Sequence, residues 1–463
     1  MTTDPSKQQN QPAESCPVVT RRQFLTGLGA SVSLGVVGGY AIGVWRKDPT
    51  VSTATTTATP VSSATTVAAA PPGTFGAIPG QKVLVVVEMG GGNDGLSMVV
   101  PHASSAYYDM RPSLGILNPL DLDGEIGLHP NMTWLADRYQ SGQLALIEGV
   151  GYPDPDLSHF VSMETWWTAH ATGPTASGWL GRYFDGTVGE QNPLAGVTIG
   201  PGPSRAMLGD ASFTISIQDD TGLSPVAPWI DDLDELMGAW AGFAPAGIDS
   251  PGLLAPVRET ISYATDARGQ LASAISAATA MDLSGGSQSM DGDMTMMQDA
   301  ATARRPGLAT YMHLAAQLAI SPVSPTVIYV HGWGDFDTHE NQANRHDDMM
   351  LQLDQALSGF FGIIDAAGRA GDVVVLTTSE FGRRVRDNGS GTDHGTASTS
   401  MVIGAPVQGG RFGQPVDLAR LDTRGNPAHT VDFRSTYATV VDGWLEADAD
   451  GVLGETYERL PVF

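Results

Sequence analysis

Nine consecutive residues, His331-Gly332-Trp333-Gly334-Asp335-Phe336-Asp337-Thr338-His339, contain two acids and two histidines. In extended backbone, Asp337 and His339 point to the same side. A carboxylate and an imidazole converging from one segment can begin a divalent metal site. The plainer alternative is a solvated loop whose histidine caps the following helix. A second segment, Thr377-Thr378-Ser379-Glu380-Phe381-Gly382-Arg383-Arg384, offers Glu380 as a further ligand beside a double arginine. The rigid fork of Arg383 would suit phosphate or sulfate oxygens; a surface ion pair would explain the same residues. In Gly391-Thr392-Asp393-His394-Gly395-Thr396 a histidine stands among glycines, which let a ligand come close to His394. In Asp156-Leu157-Ser158-His159-Phe160, Ser158 occupies a helix start. A helix N-terminus favours negative charge and hence an alkoxide nucleophile, although serine there is commonly just a cap. His159 beside it is a candidate polar site residue.

The segment Glu88-Met89-Gly90-Gly91-Gly92-Asn93-Asp94-Gly95 matches a dinucleotide fingerprint at Gly90, Gly92 and Gly95. That reading fails. The fingerprint needs a helix opening at its last glycine, and Pro101 interrupts within two turns. No acidic residue follows a clear second strand at the required distance. What remains is a tight turn displaying Asn93 and Asp94, functional or merely structural. The absence of a Gly-x-Ser-x-Gly elbow argues against an esterase of the usual α/β-hydrolase kind.

These segments need elements to hold them. Val83 to Val87 is short, β-branched and apolar at every position, the pattern of a central parallel strand buried on both faces. Similar runs recur at Leu144 to Ile147, Thr326 to Val330 and Val373 to Leu376. Between them lie helical patterns. The clearest spans Gln342 to Ala367, with Met350, Leu353, Leu357, Phe360 and Ile364 on one stripe. Alternating strands and helices predict an α/β domain, a largely parallel sheet sandwiched by helices, over residues 82–463. In such sheets function gathers past the C-terminal strand ends, and the polar segments above follow strands. Residues 284–300 read as a mobile insertion.

The N-terminus predicts a location outside the cytoplasm. Thr20-Arg21-Arg22-Gln23-Phe24-Leu25 opens an uncharged, weakly hydrophobic stretch that runs to Trp45 and is closed by Arg46 and Lys47. A basic start, a mild apolar run and an arginine pair predict twin-arginine export of folded cargo over residues 1–47. The alternative is an ordinary membrane anchor, and an uncleaved segment would tie the protein to the membrane there and nowhere else. Residues 48–81, rich in Thr, Ala, Ser and Pro, read as a flexible tether. The expected location is therefore periplasmic, cell-surface or secreted, with the twin-arginine export machinery as a partner. Five of the 24 basic and two of the 50 acidic residues precede Asp48, leaving 19 basic against 48 acidic residues, a formal charge of −29. Such a domain repels nucleic acid and anionic membranes. The sole cysteine, Cys16, precedes the arginine pair, so a processed protein would have no disulfide, and its stability would rest on core burial or metal.

The motifs Gly91-Gly92-Asn93-Asp94-Gly95-Leu96, Gly127-Leu128-His129-Pro130, Gly149-Val150-Gly151-Tyr152-Pro153, Ser158-His159-Phe160 and Gly178-Trp179-Leu180-Gly181-Arg182 occur in that order. Asp337-Thr338-His339, Ser379-Glu380-Phe381-Gly382-Arg383, Asp393-His394-Gly395-Thr396 and Asp432-Phe433-Arg434-Ser435 follow. Together they resemble the DUF1501 family of twin-arginine-exported bacterial proteins over about residues 82 to 448. That family looks like a distant branch of the alkaline phosphatase and sulfatase superfamily, whose members bind two metals, typically zinc or manganese, and cleave phosphate or sulfate esters. The resemblance implies that Asp337, His339 and His394 match one metal's ligands. Asn93 or Asp94 would stand for the first ligand, and Ser158 lies near the nucleophile position. Glu380 would keep a carboxylate where relatives carry an Asp-His pair, and Phe381 removes the imidazole, which implies one full site with a degraded neighbour. The expected function is an exported metal-dependent hydrolase of small anionic phosphate- or sulfate-type esters. Its divalent ion would be held by Asp337, His339 and His394 with Glu380 or Asp94. Arg383 would neutralise substrate charge and His159 would move a proton. The alternative is a non-catalytic member acting as an exported binding or assembly protein.

Overall fold

The computed structural model describes residues 80–170, 177–187, 194–212, 214–217, 306–322 and 324–463. The expected export signal, all but the last two residues of the tether and the insertion at 284–300 lie outside them. The strands of the main sheet are β1 (Val83–Glu88), β2 (Leu144–Gly151), β3 (Gly196–Ile199), β4 (Ile215–Ile217), β5 (Val327–Val330), β6 (Val373–Thr378), β7 (Ser398–Ile403), β8 (Gly410–Gly413) and β9 (Val431–Asp432). Their order is β8-β2-β7-β6-β1-β5-β3-β4, with β9 also pairing β2. β1 lies at the centre, parallel to β5 and β6, with Val85 opposite both Ile328 and Val375.

The expectation of a largely parallel sheet between helices agrees with this topology. The departure is β7, antiparallel to both β2 and β6. Its sequence, Ser-Thr-Ser-Met-Val-Ile, opens on small hydroxylated residues and lacks the uniformly apolar signature of the other central strands. All four strand runs read from the sequence form strands, and β2 continues to Gly151, four residues beyond the apolar run.

Both faces of β1 are covered. Val83, Val85 and Val87 join the core built on α3 (Leu308–Ala319) and α4 (Gln342–Ala366); Leu84 and Val86 join the opposite core with α2 (Trp179–Thr187) and α5 (Phe433–Gly443). This two-sided burial is why the strand carries no polar alternation. The predicted stripe of α4 is wholly buried. α1 (His159–Thr168) follows β2 and carries Trp166 into the second core. Past β1, a helix does open at Gly95, but it ends at Met98 after one turn. A dinucleotide fold would need it to continue.

β1, β2, β5 and β6 run the same way, so their C-terminal ends share one edge, and the antiparallel β7 begins there. The chain entering β7 carries His394. Five segments distant in sequence therefore meet at that edge. Among the described residues no helix is long and apolar enough to cross a membrane.

Candidate metal centre

Asp337 is the hub. The loop leaving β5 delivers its carboxylate, and Oδ1 lies 3.0 Å from His339 Nε2 and 3.0 Å from His394 Nε2. The two Nε2 atoms are 3.0 Å from each other. His159 Nε2 lies 3.5 Å from Asp337 Oδ2. His159, Asp337 and His394 offer ligand atoms within 4.8 Å of one another, a group able to hold a metal ion; His339 joins them through its contacts with Asp337 and His394.

The outer nitrogens of these histidines decide the chemistry. His394 Nδ1 is 2.7 Å from the Leu157 carbonyl oxygen, His159 Nδ1 is 2.8 Å from Glu380 Oε1, and His339 Nδ1 is 3.4 Å from Asp393 Oδ1. A carbonyl only accepts, so Nδ1 of His394 carries the proton and its Nε2 presents a lone pair to the Asp337 carboxylate. Two acceptors 3.0 Å apart repel unless a cation lies between them or the imidazole is protonated. Burial lowers the pKa of His394, which opposes protonation. Histidines whose far nitrogen is tied to a carboxylate or carbonyl are the usual support of a metal ligand. Tetrahedral zinc with bonds of about 2.0–2.1 Å holds neighbouring ligand atoms roughly 3.3 Å apart, close to the spacing found here. The donor set therefore fits a divalent ion.

The protonation of the other groups agrees. Burial would raise the Asp337 carboxyl, but the hydrogen bond from Arg383 and its charge override it and hold the group well below the usual carboxylate range. The hydrogen bond that His159 Nδ1 donates to Glu380 raises the pKa of His159, with burial opposing. A more basic imidazole is a stronger donor to a metal.

Glycines permit the assembly. Gly91 has φ +113°, and a Cβ there would lie 2.5 Å from the Asp337 amide nitrogen. Gly92 has φ +75°, and its Cβ would meet the Phe381 ring. The turn after β1 thus works by close approach to the Asp337 loop, and the Gly91 amide donates to Glu380 Oε1 at 2.8 Å. The Phe381 ring lies 4.9 Å from the His159 ring and 4.7 Å from the His394 ring, closing that side of the cluster. The other side opens to solvent, where the His339 and Asp337 side chains are 42% and 38% exposed.

Several expected roles change. Arg383, expected to meet a substrate anion, has a fully buried side chain. It donates to the carbonyls of Gly91, Gly92, Thr392 and Phe336 and to Asp337 Oδ1 at 2.8 Å. Its fork is spent inside the protein, as a strut for the glycine turn and the Asp337 loop. Asp94, expected among the ligands, is buried against Arg111 and Ser97, with Arg111 Nη2 2.9 Å from its Oδ1. Burial opposes its ionisation, but Arg111 prevails and keeps the carboxyl far below its ordinary range. Its neighbour Asn93 is also buried, 3.1 Å from His346 Nε2. Glu380 lies one step out, tied to His159 and the Gly91 amide. His159, expected as a proton carrier, turns Nε2 towards Asp337, where it has no hydrogen-bond partner. Ser158 caps α1 by its backbone alone, without a side-chain capping bond. Sequence reasoning missed Asp393 and the Leu157 carbonyl. Asp393 adjoins His394 in a quoted motif, but its pairing with His339 depends on the loop crossing between them. The Leu157 carbonyl has no signature in sequence.

Residues 254–442 match the family model described as protein of unknown function (DUF1501). The resemblance read from the sequence is borne out over that span, which includes Asp337, His339, Glu380, Arg383 and His394. Comparison with curated proteins finds no match. Among solved structures, the chain is similar to a protein in the alkaline phosphatase superfamily from Vibrio parahaemolyticus, with 10% identity, TM-score 0.34, and 81% of this chain and 69% of that one covered. It is similar also to alkaline phosphatase from the Antarctic bacterium TAB5, with 12% identity, TM-score 0.29, and coverage of 72% and 94%. A variant of that enzyme was solved with magnesium bound (12%, 0.29, 72% and 93%). At such superposition scores these likenesses carry no argument about activity.

Proposed function

We propose that His159, Asp337, His339 and His394 hold one divalent cation, zinc or manganese, and that the domain is an exported hydrolase of phosphate- or sulfate-type esters. One observation carries this reading. Three histidines turn Nε2 to the oxygens of a single carboxylate, with Nδ1 of His159 and His394 hydrogen-bonded to an oxygen and Nδ1 of His339 3.4 Å from Asp393. A bound divalent ion supplies Lewis-acid polarisation of an ester oxygen. The chain's own residues do the rest. Glu380, Asp393 and the Leu157 carbonyl fix the rings, and Arg383 holds Asp337 ionised. Ser158, half-buried at the N-terminus of the ten-residue α1, is the candidate nucleophile, placed where the helix dipole favours negative charge on oxygen. Phe381 occupies the side where a second ion's imidazole would be expected, which supports a single centre. The arginine pair Arg21-Arg22 supports export of the folded, loaded protein by the twin-arginine machinery.

A second reading, a non-catalytic exported binding or assembly protein, draws support from Arg383. Its complete internal commitment removes the expected substrate-neutralising cation. Metal analysis of protein purified after export, together with a panel of phosphate, phosphonate and sulfate esters, separates the readings. The first expects near-stoichiometric metal that is lost in His339→Ala and His394→Ala, with turnover of at least one ester class. Metal-free protein of unchanged stability sinks it.

A further inference from the structure

We infer that the cavity between the turn after β2 and the loop before β9 is a binding subsite for a neutral, hydroxyl-rich group of the size of one sugar ring. Building on the hydrolase reading, it would hold the alcohol part of the ester. The cavity measures about 300 Å³, at the lower end of small-molecule sites. Asp154, Pro155, Thr396, Arg420, Asn426 and His429 line it. It adjoins the metal cluster through the chain itself. Thr396 follows His394 by two residues, so their Cα atoms are at most about 7.6 Å apart. Pro155 stands two residues before Leu157, whose carbonyl fixes His394, and three before the candidate nucleophile Ser158.

Unspent hydrogen-bonding capacity carries the choice of ligand. Asn426 Nδ2 donates to Asp422 Oδ2 at 2.9 Å, which fixes the amide's orientation, because a carboxylate only accepts. Asn426 Oδ1 is thereby left buried without a partner, and a buried acceptor lacking a donor is costly. The Asp154 carboxylate and the His429 ring make no hydrogen bond among the described residues. Burial lowers the pKa of His429, so its neutral ring offers one donor and one acceptor. The Arg420 side chain is 88% exposed and only loosely paired, 3.7 Å from Asp417. The other polar side chains of the lining are spent inside the protein: Asp422 accepts from Asn426 and from the Arg424 amide, Thr396 donates to the Pro427 carbonyl, and Tyr152 bonds Ser162. A ligand must therefore bring donors to Asn426 and Asp154 and an acceptor to Arg420, while His429 meets either. A hydroxyl does both, and adjacent hydroxyls on one ring serve several partners at once. An anion would leave Asn426 and Asp154 unmet, an ammonium would leave Arg420, and an alkyl chain would serve none of them.

The test uses metal-loaded protein and the 6-phosphates and 6-sulfates of glucose, galactose and mannose, set against butyl phosphate and butyl sulfate, with release of phosphate or sulfate as the readout. At least one sugar ester should show kcat/KM about tenfold or more above the butyl ester of the same acid, the scale of two hydrogen bonds. Asp154→Gly, which the φ of +48° at this position accommodates, and His429→Ala should each lower that ratio by about threefold or more at unchanged metal content. Binding is read separately, by calorimetric titration with the methyl glycosides of the same three sugars, with and without a chelator. At least one glycoside should bind in the millimolar range or tighter, and more weakly in both variants. Equal kcat/KM for sugar and butyl esters, an unaltered ratio in both variants, or no saturable binding of any glycoside overturns the inference and leaves the metal centre standing. Glycoside binding by protein that holds no metal and turns over no ester would confirm the subsite and remove the hydrolase reading beneath it.

Discussion

Replacing Arg383 tests whether this residue is a strut or a substrate contact. Its guanidinium makes hydrogen bonds of 2.8–2.9 Å to the carbonyls of Gly92, Thr392 and Phe336 and to Asp337, and it also bonds the Gly91 carbonyl. A net hydrogen bond to a charged group contributes about 1.5–3 kcal/mol, but these bonds share one cation and do not add. Asp337 is partly exposed, and water entering the gap would recover some of the carbonyls' bonding. The expected loss in Arg383→Ala is therefore about 3–5 kcal/mol, the range for breaking a buried charge pair. Against a total stability of about 5–15 kcal/mol, this variant stands near the limit of folding. Arg383→Lys is the better probe. It keeps the charge, but an ammonium has three donors and lacks the planar fork, so about 2–3 kcal/mol should be lost. Urea unfolding followed by circular dichroism measures this as a lower midpoint at unchanged slope. Stability within about 1 kcal/mol of wild type in both variants, together with weakened phosphate or sulfate binding, would show that the guanidinium faces a ligand and would refute the strut.

Other outcomes follow from the same geometry. Asp94→Asn should cost about 3–5 kcal/mol in urea unfolding, because it leaves the Arg111 charge buried without its partner. Burial lowers the pKa of His346 from 6.5 to about 4, so the folded state keeps this imidazole neutral while the unfolded chain takes up a proton below pH 6.5. Its contribution is complete above that pH and falls as pH drops towards 4, by about 3 kcal/mol in all; His346→Gln should flatten that part of the stability–pH curve. Gly91→Ala should push the Asp337 loop away and lower zinc affinity about tenfold, the scale seen when ligand support is disturbed, as read by competition with a fluorescent chelator. Unchanged affinity there would mean the turn does not position Asp337.

Much of the fold was legible because burial writes itself into composition. A strand covered on both faces carries an unbroken apolar run, and Val83 to Val87 of β1, Val327 to Val330 of β5 and Val373 to Leu376 of β6 are such runs. A helix packed on one side must carry its apolar residues on one stripe, and α4 does. The candidate ligands Asp337 and His339 were visible as polar residues past a strand end, where a parallel sheet leaves its edge open, and His394 as a histidine standing among glycines. Residue type and spacing, however, say nothing about what a side chain turns towards. Arg383 and Arg384 are neighbours of the same type in the sequence, yet only Arg383 is folded inward to hold four carbonyls. Asp94 sits in a glycine turn that also bounds the cluster, but the chain brings Arg111 against it and closes it into the core. Glu380 and Asp393 became supports of histidines through pairings between loops 221 and 54 residues apart in sequence. Local rules act over a few residues, whereas those partnerships depend on which strand ends the sheet order sets side by side, and that order exists only once the cores on both faces have formed.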